Sequence, residues 1–234
     1  MALPKLNENP EYRMTIPSTG KQVKFRPFLV KEQKVMMIAS ESQDRKQMLN
    51  SMLETINACV SDVESKHLAT FDVDYLFTQI RAKSVGENSE LQLKCSECEH
   101  QNEFVINLSE IKPPKVELDQ VIHITPDISL SMQYPTYHQL MGSSLIDDEI
   151  TTDNMVEFLI TCIQSVNTLE ESILFKDEPL QEKINFIESL NTEQFNRLSE
   201  FLQNMPKLTH KIEVNCAECG HKNVHTLEGM ESFF

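Results

Sequence analysis

Glycine is scarce in this chain, five residues in 234, which leaves little material for loops that cradle phosphate through closely spaced backbone N–H groups. No P-loop, GxGxxG, GxSxG or HExxH pattern occurs, so no constellation supports an enzymatic reading. A continuous apolar run of about eighteen residues, the length needed to cross a bilayer, is absent. The opening MALPKLNENPEYRM has neither the charged n-region nor the apolar core of a secretion signal, so the expectation is a cytoplasmic chain. Basic residues are few: twenty-one Lys and Arg stand against thirty-six Asp and Glu, for a formal charge of −15. That balance repels a phosphate backbone unless the cations gather on one face. It suits a basic protein partner, or simply a well-hydrated surface.

What the chain does have is an order of elements that occurs twice. Residues Glu11 to Arg26 read as two short strands around Ser18-Thr19-Gly20 and end in Arg26-Pro27-Phe28. Residues Val121 to Tyr134 repeat this around Pro126-Asp127 and end in Tyr134-Pro135-Thr136. A helical stretch follows each proline, Val30 to Ser40 and Tyr137 to Leu145. A longer amphipathic helix comes next, carrying Met48, Met52, Ile56 and Cys59 in one half and Met155, Leu159, Cys162 and Val166 in the other, at spacings of three to four. Capping-type residues open further helices at Phe71 to Arg81 and Asn191 to Gln203. Strands at Leu91 to Cys95 and Lys211 to Cys216 then lead into the closing segments CSECEHQNEF and CAECGHKNVH.

The expectation is an α+β protein of two duplicated lobes, residues 1–112 and 115–234, each a β-hairpin, amphipathic helices and a CxxC hairpin. Pro113-Pro114 is the seam, since each proline removes a backbone donor and biases its predecessor toward extended backbone. Residues 169–190 have no counterpart in the first half. They read as a strand, a turn at Asp177-Glu178-Pro179, and a helix bearing Ile184, Ile187 and Leu190.

Six cysteines without a secretion signal imply reduced thiols, and four of them form the pairs Cys95/Cys98 and Cys216/Cys219. A CxxC at the tip of a β-turn offers two thiolates on one side of a metal tetrahedron, and two such pairs complete it. Four thiolates leave no open position to activate water, so the zinc would be structural. A thioredoxin-type site is the competing chemistry. It needs a helix N-terminus behind the first thiol to lower its pKa, whereas the residues after each pair lead into the strand-like FVI and VHT. His100 and His221 follow the second cysteine of each pair and allow two separate sites, with His225 or water as a fourth ligand; one four-cysteine site is more economical. Tight turns behind a thiolate favour positive φ, which Gly220 accommodates and Glu99 does not.

Cys59 and Cys162 lie on apolar helix faces and read as small core hydrophobes. Arg26-Pro27-Phe28 reads either as a protein-binding motif or as a capped strand-to-helix junction. The terminal Phe233 and Phe234 form an apolar plug for a partner, or pack on the second knuckle. The acidic groups Asp147-Asp148-Glu149, Glu170-Glu171 and Asp177-Glu178 lack EF-hand spacing and read as solvated.

The opening MALPKL, the Tyr12 to Pro17 strand, the stretch Arg26-Pro27-Phe28-Leu29-Val30-Lys31-Glu32, the FIESL of Phe186 to Leu190 and the paired CxxC knuckles resemble the baseplate hub proteins of T-even-type myoviruses, over essentially the whole chain. The resemblance implies a non-enzymatic hub subunit or hub assembly factor that binds hub or tail-spike proteins in the host cytoplasm during assembly, and that either stays in the tail baseplate or leaves it. Two other classes compete. A zinc-ribbon nucleic-acid or transcription accessory factor would need a basic stripe, and a thiol oxidoreductase would need one thiol of abnormally low pKa.

Overall fold

A computed structural model describes residues 9–142 and 152–233. The acidic cluster at 147–149, the opening MALPKL, the end of the helix expected through Leu145 and Phe234 lie outside the described residues.

Alternating burial makes β1 (Tyr12–Thr15) and β2 (Gln22–Phe25) an antiparallel hairpin with Met14, Val23 and Phe25 inward. Gly20, at φ 67, closes its turn by donating to the Ile16 carbonyl at 2.9 Å. Ser18 ties that turn to the next layer, its N–H and hydroxyl donating to the two carboxylate oxygens of Asp72 at 2.9 and 2.5 Å. Helix α1 (Val30–Ser42) follows, then α2 (Arg45–Cys59), whose cap Asp44 accepts from the N–H groups of Lys46 and Gln47. The chain leaves α2 through Val60, which bridges to Phe25, while the Arg26 N–H donates to the Cys59 carbonyl at 3.0 Å. Helix α3 (Thr70–Ser84) leads to the hairpin β3 (Asn88–Lys94) and β4 (Gln101–Asn107).

The second part opens with β5 (Val121–Thr125) and β6 (Ile128–Met132), α4 (Tyr137–Met141) and α5 (Thr152–Cys162). The helix expected to run on through Val166 stops at Cys162, and Val166 belongs to strand β7 (Ile163–Asn167). Strand pairing overrides the helical spacing here: β7 pairs antiparallel with β6, Val166 facing Leu130, and supplies the backbone partners that continued helix would otherwise have made. Strand β8 (Ser172–Leu174) and helix α6 (Leu180–Glu188) fall inside the 169–190 segment, with Pro179 at the helix cap. The sheet order is β5-β6-β7-β8. Helix α7 (Thr192–Gln203) closes over it, its cap Asn191 and Gln194 forming a reciprocal capping box. Leu130, Leu159, Cys162 and Leu198 are fully buried at the centre of this core.

The last hairpin is β9 (Thr209–Asn215) and β10 (Lys222–Glu228). Two compact units result: Met1–Ser65 with Phe71–Lys115 and Lys207–Phe234, and Lys66–Thr70 with Val116–Pro206. The spatial division therefore does not coincide with the sequence seam at Pro113-Pro114, because the final hairpin is part of the first unit. A two-stranded hairpin has one apolar face and is marginal alone. Leu91, Leu93 and Ile106 of one hairpin share a core with Ile212, Val214 and Leu227 of the other. The fold is mixed α+β, with seven α-helices and four small sheets among the described residues.

Candidate metal centre

The two CxxC turns are built alike. In the first, the Cys95 N–H donates to the His100 carbonyl at 2.9 Å and the Glu99 N–H donates back to the Cys95 carbonyl at 3.0 Å. In the second, Cys216 and Gly220 make the same two bonds, to His221 and Cys216, both at 2.9 Å. The residue behind each second cysteine is left-handed, Glu99 at φ 61 and Gly220 at φ 73. Positive φ is thus needed in both turns, at glycine's low cost in one and with a β-carbon in the other.

Sulfur–sulfur distances are 3.8 Å between Cys95 and Cys219 and 3.5 Å between Cys98 and Cys216, with all four sulfurs within 4.8 Å of one another. A tetrahedral ion with bonds of about 2.3 Å to sulfur would set its ligands about 3.8 Å apart, so the cluster fits a zinc-sized, sulfur-preferring ion. The group consists of the four thiols alone, and both histidines are exposed. Cys95 and Cys216 are buried, while Cys98 and Cys219 face solvent. Among these sulfurs the backbone N–H of Cys98 draws the Cys95 thiol down to about 6, and that of Cys219 draws Cys216 down. The N–H of His100 favours the Cys98 thiolate too, but the neighbouring sulfurs, Cys219 foremost, push it up to about 12. Each pair is followed by a strand, β4 or β10, so no helix N-terminus stands behind either thiol.

The helix cysteines differ in kind. Cys59 and Cys162 are buried at the ends of α2 and α5, and desolvation pushes their thiols up to about 11 and about 12. Both are inert core residues at neutral pH.

Arg26 is engaged within its own unit. Its guanidinium donates to the Glu32 carboxylate and the Ala58 carbonyl, each at 2.9 Å, and Glu32 in turn accepts from the Leu29 N–H at 2.8 Å, capping α1. Phe28 is half-buried, its N–H donating to the Ser84 hydroxyl at 2.9 Å. Phe233 is fully buried in the hairpin core, with its carbonyl accepting from the Ser89 hydroxyl at 2.7 Å. Sequence reasoning overlooked Asn102 and Asn223, which stand four residues after the second cysteine of each pair and are 6% and 3% exposed. Their recurrence in CSECEHQNEF and CAECGHKNVH was the available signal.

The family model for the T4 bacteriophage base plate protein matches residues 9–234. The chain belongs to the T4 bacteriophage base plate protein family. No curated protein and no solved structure matches it. As a member of this family it is a phage baseplate component that binds other phage proteins. Among the described residues no helix is long and apolar enough to cross a membrane.

Proposed function

We propose that this base plate protein builds or helps to assemble the central hub of the contractile-tail baseplate, working by protein–protein binding on a scaffold held by one structural zinc. The carrying observation is the single four-sulfur cluster in a member of this family. Cys95, Cys98, Cys216 and Cys219 hold the ion, whose closed sphere stabilises the paired hairpins and offers no position for substrate.

The reading includes an internal duplication, with repeats at 1–112 and 115–234 and a helical insertion at 169–190. Matching bonds support it. The Arg26 N–H donates to the Cys59 carbonyl and the Gln133 N–H to the Cys162 carbonyl, at 3.0 and 2.7 Å. The Arg26 side chain reaches the Ala58 carbonyl and the Gln133 side chain the Thr161 carbonyl, at 2.9 and 3.0 Å.

Hub or tail-spike subunits are the proposed partners, met during assembly in the host cytoplasm. Phe28 and the neighbouring face of α1 form the contact, with Arg26 fixing the junction behind it and Phe233 closing the hairpin core. Val30, Met37 and Ile38 of α1 are 79%, 57% and 55% exposed, which supports an apolar contact there. Beside them a cavity of about 190 Å³, lined by Met36, Met48, Met52, Phe77 and Met230, supplies an adaptable seat for a partner's apolar side chain.

Metal analysis of purified protein tests the zinc: one ion per chain, lost on Cys95→Ser or Cys216→Ser, is the expected result. Two ions lost independently would mean separate knuckles, and none would return the thiols to redox chemistry or packing. Co-expression with each hub and tail-spike subunit of the same phage tests the role, and failure to copurify with any of them would sink it.

A further inference from the structure

The two buried asparagines exchange sides. Asn102, on the first hairpin, accepts at Oδ1 from the Ala217 N–H of the second at 2.9 Å, and its Nδ2 lies 3.8 Å from the Cys216 sulfur. Asn223, on the second hairpin, accepts from the Ser96 N–H and hydroxyl of the first, both at 2.9 Å, and its Nδ2 lies 3.5 Å from the Cys95 sulfur. The orientation of each amide is dictated chemically. A backbone N–H can only donate, so the oxygen must face it, and the NH₂ is thereby turned toward the sulfur and the carbonyl of the asparagine's own turn. That carbonyl belongs to His100 for Asn102 and His221 for Asn223, at 3.1 Å in both.

We infer that Asn102 and Asn223 are reciprocal positioning residues for the metal centre, each completing the knuckle of the opposite hairpin by holding the backbone after its first cysteine and donating an N–H···S bond to that cysteine's thiolate. The inference rests on the zinc reading above and deepens it. Neither CxxC turn is complete alone, because the amide that steadies its buried sulfur comes from the other hairpin. Ion binding and the docking of the last hairpin onto β3–β4 are then one equilibrium, and two knuckles that fill independently would contradict it. A neutral amide donor fixes the thiolate's orientation, as groups bonded to metal ligands do, and draws off part of its charge without competing for the ion.

Cobalt and cadmium loading of the full chain provide the test. In wild-type protein loaded with cadmium-113, the side-chain amide protons of Asn102 and Asn223 are expected to show scalar coupling to the metal. Absence of coupling at both would overturn the clasp. Asn102→Asp and Asn223→Asp keep an acceptor oxygen for Ala217 and Ser96 but set an anion against the thiolate. Each should move the sulfur-to-cobalt charge-transfer band to lower energy and release cobalt to a chelator at least about tenfold faster. Asn107→Asp, also on β4 but away from the sulfurs, should do neither. Asp variants with the wild-type band and release rate would overturn the inference. Wild-type protein that takes up no cobalt would instead sink the zinc reading. The clasp would then be judged on the metal-free chain, where the Ser96 and Ala217 amides should resist hydrogen exchange, and free exchange at both would overturn it.

Discussion

The two CxxC hairpins and the two helix-bearing halves of this chain differ in how closely they match. Between the hairpins, turn bonds and strand registers coincide position by position, and the asparagine contacts do so except for the added Ser96 hydroxyl. Between the helical halves the matching bonds lie at one junction, and there Arg26 stands opposite Gln133. The second half also adds β8 and α6 to its sheet core. The two kinds of constraint differ in tolerance. Four sulfurs around one ion must agree to within a few tenths of an ångström, whereas an apolar core accepts changed side chains if volume and patterning are kept.

The largest expected effect breaks the hairpin match. On the proposed zinc site, Cys216→Ser should remove the ion and several kcal/mol of stability, lowering the melting temperature by on the order of 10 °C or more in calorimetry. Arg26→Ala and Gln133→Ala sharpen the contrast between the halves. The first takes from the Glu32 carboxylate, which is 7% exposed, its closest cation and leaves it Lys31 at 3.3 Å and the Leu29 N–H, and should cost about 1.5–3 kcal/mol in urea unfolding. The second removes one neutral hydrogen bond and should cost about 1 kcal/mol. Equal costs would mean that the arginine adds nothing specific to its half.

A smaller pair of substitutions probes the one visible difference between the turns. Gly220→Ala places a β-carbon at φ 73, where no neighbouring atom crowds it, so its expected cost of about 1 kcal/mol is backbone strain alone. Glu99→Gly should gain about 0.5–1 kcal/mol, since it relieves the same strain and gives up only the exposed Lys94–Glu99 pair at 3.2 Å. The smallest effect is acid dependence. Burial alone would raise the Glu32 carboxyl, but the Arg26 guanidinium, the Leu29 N–H and Lys31 together hold it below its ordinary value. A lowered folded pKa contributes stability that is present above the ordinary carboxyl range and is lost as pH falls through the folded value. Glu32→Gln should therefore flatten the acid limb of the stability profile and leave its shape near neutrality unchanged.

Much of the local structure was legible because its causes are local. Strand-like residues ahead of each CxxC marked β3 and β9, and Asn191 announced its helix by capping chemistry, whereas the Thr136 cap of α4 is visible only in the fold. Asp177-Glu178-Pro179 marked the entry to α6. Val166 was misread because its three-to-four spacing from Cys162 and Leu159 suits a helix, while the β6 edge that claims it is remote in sequence. Asp72 does stand in the first turn of α3, as expected, and its carboxylate also serves the Ser18 turn, a partner 54 residues away that no local pattern reveals. The asparagines carried a repeat signal but no chemistry in one dimension, since an amide four residues past a cysteine means nothing until the other hairpin's sulfur stands beside it.

By itself the sequence determined the element order apart from β7, the two CxxC turns with their strand-like flanks, and the scarcity of cations and catalytic motifs, all properties of composition and short-range periodicity. Tertiary structure alone decided that four sulfurs meet in one cluster, that Phe233 is a core residue, and that the last hairpin belongs with the first unit. The reason is the one-sided apolar face of a two-stranded hairpin. It must be covered by something, and which surface covers it depends on the packing of residues more than a hundred positions apart.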